Sequence, residues 1–235
     1  MEEYLGEFMG TMVLVVLGIG LSASVNLKNA YAKGADWLYI SFGWGLAVMF
    51  GVYVAGAFGA EGHLNPAVTL SFASFNLFAK TKVVGYLIAQ FLGAFLGAVV
   101  IAIHYYPHFK MTKTEEEGNH VGIFATGPKV SGKKSWNFIS ELIATFFFVY
   151  VLLNLGEFTV GLKPLIVGMV ITSVGLALGS TTGYALNPAR DFSPRLAYAI
   201  LPIPNKGEAH MDYAWVPILG PIAGAFIACF VHALF

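Results

Sequence analysis

Six stretches of about twenty apolar residues dominate the chain, at roughly 5–25, 38–58, 83–105, 135–156, 160–179 and 213–234. Each is nearly free of Lys, Arg, Asp and Glu. A helix of about 20 apolar residues crosses a bilayer core about 30 Å thick. Inside lipid the backbone must satisfy its own hydrogen bonds, which these long segments do as helices. Only 11% of residues are charged, against about 25% in a soluble domain, too few to cover a water-facing surface. Thirteen Lys+Arg balance thirteen Asp+Glu, so there is no cationic excess to grip the phosphates of a nucleic acid. The single cysteine, Cys229, excludes an internal disulfide or a cysteine metal cluster and reads as a small apolar helix residue. The acidic start, Met1-Glu2-Glu3, is unlike a basic secretory leader, so the first span reads as a retained anchor.

Two segments, 59–79 and 180–200, are too polar to span, yet each holds a short apolar stretch and an Asn-Pro-Ala tripeptide: Asn65-Pro66-Ala67 and Asn187-Pro188-Ala189. Proline suits the first turn of a helix, where its missing N–H is not needed, and the preceding asparagine can cap it. The two tripeptides therefore predict half-length helices over about 66–77 and 188–199. The charged segment 106–134, with Lys110, Lys113, Glu115, Glu116, Glu117, Lys129, Lys133 and Lys134, reads as a solvated loop, and 203–212 as a second one.

The chain repeats itself. Glu7-Phe-Met-Gly-Thr opens the first span and Glu141-Leu-Ile-Ala-Thr the fourth; Gly62-His-Leu-Asn-Pro-Ala matches Tyr184-Ala-Leu-Asn-Pro-Ala. Gly93 with Gly97, and Gly220 with Gly224, recur in the third and sixth spans and permit close helix contact. One domain, 1–235, thus divides into a first repeat, 1–105, a connecting loop, 106–134, and a second repeat, 135–235. Three spans per copy is odd, so the second copy is inverted relative to the first. Interrupted helices in an inverted repeat place a solute site near the midplane. Two half-helix N-termini meet there, each carrying roughly half a positive charge.

This pattern resembles the major intrinsic protein family, the aquaporins and glycerol facilitators, over essentially the whole chain. Asn187-Pro-Ala-Arg-Asp resembles the glycerol-conducting branch. The resemblance implies an all-α membrane protein of six transmembrane helices and two half-helices, acting as a homotetramer with both termini cytoplasmic. It also implies a filter of Trp44, Gly175, Tyr184 and Arg190. There Gly175 leaves room, Trp44 and Tyr184 form an apolar corner for a carbon backbone, and Arg190 donates to hydroxyls. Two departures are Tyr184, where Phe is frequent, and Glu61, an extra residue in the first loop. Asn65 and Asn187 are expected to donate N–H groups to a midplane solute. Arg190, costly at membrane depth, and the helix dipoles are expected to repel cations and protons.

Glu7 and Glu141, acids inside apolar spans, read as buried acceptors holding the half-helix loops, with a proton relay as the alternative. Asp191 favours its helix N-terminus and reads as structural support. His63 either lines the pore or ties down its loop. The other histidines, His104, His108, His120, His210 and His232, are scattered without metal-ligand spacing and read as solvated or interfacial.

The function these features predict is passive passage of glycerol, water and similar small uncharged solutes through a lipid bilayer, without catalysis, cofactor or metal. The alternatives are a channel mainly for water, urea, peroxide or small acids, and an ion-coupled secondary transporter, for which Glu7 and Glu141 would be the only embedded acids. Lysine placement opposes the family topology under the positive-inside rule. A bacterial plasma membrane is the expected location.

Overall fold

The computed structural model describes residues 1–114, 117–159 and 161–235; Glu115, Glu116 and Val160 lie outside the described residues. Ten α-helices are described: α1 Glu2–Asn26, α2 Trp37–Ala57, α3 Pro66–Ser74, α4 Val83–His104, α5 Tyr106–Met111, α6 His120–Phe124, α7 Lys134–Leu153, α8 Lys163–Leu178, α9 Pro188–Ile200 and α10 Trp215–His232. Five of the six long ones meet the length and hydropathy of a membrane span. The sixth, α8, has 16 residues and is about 24 Å long at 1.5 Å per residue. It begins later than the sequence predicts because Pro164 sits in its first turn. Helix α7 ends at Leu153, three residues early, where the Asn154 amide folds back onto the Tyr150 carbonyl at 2.7 Å.

The bundle buries charged and polar side chains within an otherwise apolar interior and turns large apolar ones outward. Glu7, Gln90, Glu141, Asp191 and Arg195 are at most 1% exposed, while Leu5, Ile88, Leu92, Phe147 and Phe230 face outward. A bilayer supplies the apolar solvent that makes this arrangement stable.

Helix α1 packs on α2 and α4, α7 packs on α8 and α10, and α2 crosses α8. Close contact follows from missing side chains. A Cβ at Gly93 would lie 2.3 Å from the Phe8 carbonyl oxygen, and one at Gly224 would lie 2.2 Å from that of Leu142. The half-helices cross between halves, α3 packing on α10 and α9 on α4. There the Ser193 hydroxyl donates to the Phe91 carbonyl at 2.8 Å.

Asn65 and Asn187 cap α3 and α9, each followed by proline. Helix α3 stops at Ser74, short of the predicted 77. Asn76 turns left-handed (φ 60°). The Leu77 N–H returns to the Phe72 carbonyl at 2.8 Å and the Asn76 N–H to that of Ala73 at 3.4 Å. This is a Schellman termination with asparagine in place of glycine.

The segment 106–134 departs from a plain solvated loop. It contains α5 and α6, and Phe109, Ile123 and Phe124 are fully buried. His120 is also buried, its ring edge-on to Phe109 at 5.5 Å, against the expectation that it is solvated. Apolar residues spaced between the charges supply this anchorage. Its rim is ionic: Lys28 donates to Glu117 at 2.9 Å. The Lys113 backbone N–H and then the Lys28 ammonium hold the Glu117 carboxyl below its ordinary range.

Candidate functional site

The two loops before α3 and α9 adopt one backbone path. Gly62 and Leu64 have φ of 71° and 51°; Tyr184 and Leu186, at the matching positions, have 38° and 54°. Left-handed backbone suits glycine but costs other residues about 1–2 kcal/mol each. The bonds to the two buried glutamates hold it. Glu7 accepts the His63 N–H on one oxygen and the Leu64 N–H on the other, each at 2.8 Å, and the Gln90 amide at 2.8 Å. Glu141 accepts the Thr182 hydroxyl at 2.7 Å, the Ala185 N–H at 2.9 Å and the Leu186 N–H at 3.1 Å.

The two asparagines tie the loops together. Asn65 Oδ1 accepts the Ala67 N–H at 2.9 Å, and its Nδ2 donates to the Leu186 carbonyl at 2.8 Å. Asn187 Oδ1 accepts the N–H groups of Ala189 and Arg190 at 3.0 and 3.1 Å, and its Nδ2 donates to the Leu64 carbonyl at 2.6 Å. A carboxamide nitrogen carries two donors, so capping and cross-bracing leave one N–H on each. Helix N-termini 121 or more residues apart in sequence therefore meet inside the bundle.

Asn65, Asn187, Trp44, Tyr184 and Arg190 border one narrow cavity of about 50 Å³. A water needs about 10–15 Å³ of such space, so the cavity accommodates a few waters. Trp44, Tyr184 and Arg190 also border a wider vestibule of about 470 Å³, which places these three side chains at the junction of wide and narrow. The Arg190 guanidinium stacks 3.8 Å above the Trp44 ring and donates to the Phe124 carbonyl at 3.4 Å. His63 also borders the narrow cavity, its Nδ1 3.1 Å from the Thr69 hydroxyl and its ring 4.7 Å from that of Phe78. It both lines the cavity and anchors its loop.

Gly175 does not open onto the cavity. A Cβ there would lie 2.7 Å from Tyr184 Cζ, so the ring of Tyr184 fills the space that glycine leaves. The Tyr184 hydroxyl is buried away from water, its neighbour being the Ser41 hydroxyl, with no hydrogen bond of regular geometry between them.

Three functional neighbours escaped the sequence reading. Arg195 pairs with Asp191; its signal was the four-residue spacing on one helix face. Thr126 donates its N–H and its hydroxyl to Asp191, each at 2.7 Å, and nothing in the sequence ties so distant a residue to α9. Trp37 donates its indole N–H to the Gly175 carbonyl at 2.9 Å, at a helix start that reads as a membrane edge.

An apolar-coated bundle with a narrow, mostly apolar-walled cavity, two asparagines along it and an arginine at its mouth defines a class, the integral membrane channels. The chain belongs to the major intrinsic protein family, whose sequence profile matches residues 1–232. It is 60% identical over 228 residues to glycerol uptake facilitator protein 2 of Lactiplantibacillus plantarum, covering 97% of each chain. It is 45% identical to the glycerol uptake facilitator protein of Bacillus subtilis, covering 100% of this chain and 85% of that one. Among solved structures, the aquaglyceroporin from Plasmodium falciparum superimposes with a TM-score of 0.84 at 31% identity, over 97% of this chain and 93% of that one.

Proposed function

We propose that the protein is a passive channel for glycerol and similar small neutral solutes, which also passes water and excludes ions and protons. The observation that carries this reading is the junction of Trp44, Tyr184 and Arg190 between the vestibule and the narrow cavity. Two aromatic rings offer an apolar wall to a carbon chain, and the guanidinium offers donors to its hydroxyls. Relatives named as glycerol facilitators along the whole chain support the same solute.

Passage is a sequence of exchanged hydrogen bonds. A polyol leaving the vestibule gives up water and takes donors from Arg190. It slides past the aromatic corner and meets the remaining N–H of Asn65 and of Asn187. A water at that point accepts from both, which turns its own hydrogens away and breaks proton relay along the file. The helix N-termini and Arg190 add positive potential against cations.

Residues 1–105 and 135–235 act as two inverted copies joined by 106–134. The matched roles of Glu7 and Glu141 and the exchanged half-helices support that division. The channel works as a homotetramer in the lipid of a bacterial plasma membrane. Its cytoplasmic end is the one where Lys82 pairs with Glu3 at 2.6 Å.

The test is light scattering from proteoliposomes in an inward glycerol gradient. Re-swelling far faster than in protein-free vesicles, and indifferent to voltage and pH gradient, is expected. A glycerol rate equal to that of empty vesicles would sink the reading.

A further inference from the structure

We propose that Trp37 is the positioning residue that sets the aperture of the constriction, by holding the Tyr184 ring on a shelf of two glycines with its hydroxyl turned out of the lumen. This rests on the solute-channel reading above. It assigns a role to a residue outside the filter itself.

The shelf is Gly175 and Gly179, one turn apart at the end of α8. A Cβ at Gly175 would lie 2.7 Å from Tyr184 Cζ, and one at Gly179 would lie 2.5 Å from Tyr184 Cδ1 and 2.9 Å from Trp37 Cζ2. Both rings therefore rest on the same bare backbone. Trp37 is pinned there by its indole N–H, which donates to the Gly175 carbonyl at 2.9 Å. Its ring meets Tyr184 edge-on, with centroids 5.8 Å apart and planes at 73°. Trp37 is the first residue of α2, behind the Asp36 cap that accepts the Tyr39 N–H at 3.0 Å. Its backbone is thus fixed as well as its side chain.

Tyr184 needs such a clamp. It lies in a left-handed loop position, φ 38°, with no regular secondary structure to orient its ring. Its hydroxyl, against Ser41, lacks a regular hydrogen bond. A buried hydroxyl whose contact with its neighbour is poorly aligned gains by reaching water, and the ring borders the lumen. Rotation that way would bring a polar oxygen into the corner facing Trp44 and Arg190. The aperture would narrow, and a three-carbon polyol would be hindered more than a water. Trp37, packed edge-on against the ring, resists that rotation.

The experiment measures glycerol and water permeability in proteoliposomes for the wild type, Trp37→Ala, Trp37→Phe, Tyr184→Ala and each Trp37 variant combined with Tyr184→Ala. Trp37→Ala is expected to lower the glycerol-to-water ratio about fivefold. Trp37→Phe, which keeps a ring and loses the N–H, is expected to lower it about twofold. In the Tyr184→Ala background both changes should nearly vanish, because a residue that acts through another is silent without it. An unchanged ratio in Trp37→Ala overturns the proposal, and so does an equal fall in both backgrounds, which would mean direct contact with solute. If Trp37→Ala fails to insert, the Trp37→Phe pair decides on the same criterion. A wild type without glycerol flux would instead remove the channel reading beneath it.

Discussion

The Asp191 carboxylate is paired with Arg195 at 2.9 Å, one turn further along α9, and not with its chain neighbour Arg190. Both partners are at most 1% exposed. Arg195 also donates to the carbonyls of Thr126, Ala209 and His210 at 2.7, 2.9 and 3.2 Å. One buried cluster thus ties the half-helix to the 106–134 segment and to the loop before α10. Because Asp191 is engaged by Arg195, the Arg190 guanidinium is left at the junction of cavity and vestibule. Its contacts there are the Trp44 face and one carbonyl.

Arg195→Met should therefore do two things. Removing one member of a buried ion pair costs about 3–5 kcal/mol, so the melting temperature in detergent should fall clearly. The stranded Asp191 carboxylate should also draw Arg190 toward itself and weaken cation exclusion. A pH-sensitive dye trapped in proteoliposomes reads that leak. A variant as stable as the wild type would show that the cluster does not anchor α9.

The two embedded glutamates should behave alike. Glu141→Ala strands the Thr182 hydroxyl and two backbone N–H groups in the interior, and Glu7→Ala strands two backbone N–H groups and one N–H of the Gln90 amide, whose nitrogen still donates to Thr69. Each unpaired buried donor costs about 1–3 kcal/mol, so each variant should lose about 3 kcal/mol or more. Glu→Gln keeps an acceptor and should lose less. Glycerol flux should fall in parallel with thermal stability at both positions. A relay role would instead abolish flux in a Gln variant of undiminished stability.

Much of this was legible in the sequence, and the reasons are physical. Spans show as apolar runs because lipid rewards nothing else, and the half-helices show because Asn-Pro is a start signal whatever surrounds it. The duplication adds a second, independent view of each loop, so Glu7 and Glu141 could be matched before any contact was seen. Packing across the chain could not be read. Thr126 and Phe124 reach α9 from a segment whose charges suggest solvent. Their anchorage depends on burial of Phe109, Ile123 and Phe124, single apolar residues without a helical period. Gly175 shows the same limit: a missing side chain marks a vacancy, and only the fold says that Tyr184 fills it.

That vacancy makes a prediction at the smallest scale. Gly175→Ala adds one methyl 2.7 Å from the Tyr184 ring, and overpacking of this kind costs about 1–3 kcal/mol if nothing moves. The ring has the lumen to move into. Glycerol permeability should drop at least about fivefold relative to water, and Gly175→His should abolish it while water still passes. Unimpeded glycerol flux in Gly175→Ala would mean that the ring has room to yield elsewhere. Tyr184→Phe, by contrast, removes a hydroxyl that faces Ser41 rather than the lumen. It should leave the glycerol-to-water ratio within about twofold.

Arg190→Ala tests the electrostatic half of the account. A guanidinium is expensive to keep at this depth, so its removal should cost little stability beyond a cation–π stack on Trp44 worth about 1–2 kcal/mol. The barrier to cations should fall much further in relative terms. A unit charge about 4 Å from a passing ion is worth about 4 kcal/mol at an effective dielectric of 20, and a loss of only about 1.4 kcal/mol from the barrier is a tenfold faster leak. Proton or potassium flux should therefore rise at least about tenfold, read by a trapped pH dye or a potassium-selective electrode. Glycerol should continue to pass, since the widened junction removes one donor but no wall. A leak no greater than that of the wild type would place the cation barrier elsewhere, at the paired N-termini of α3 and α9.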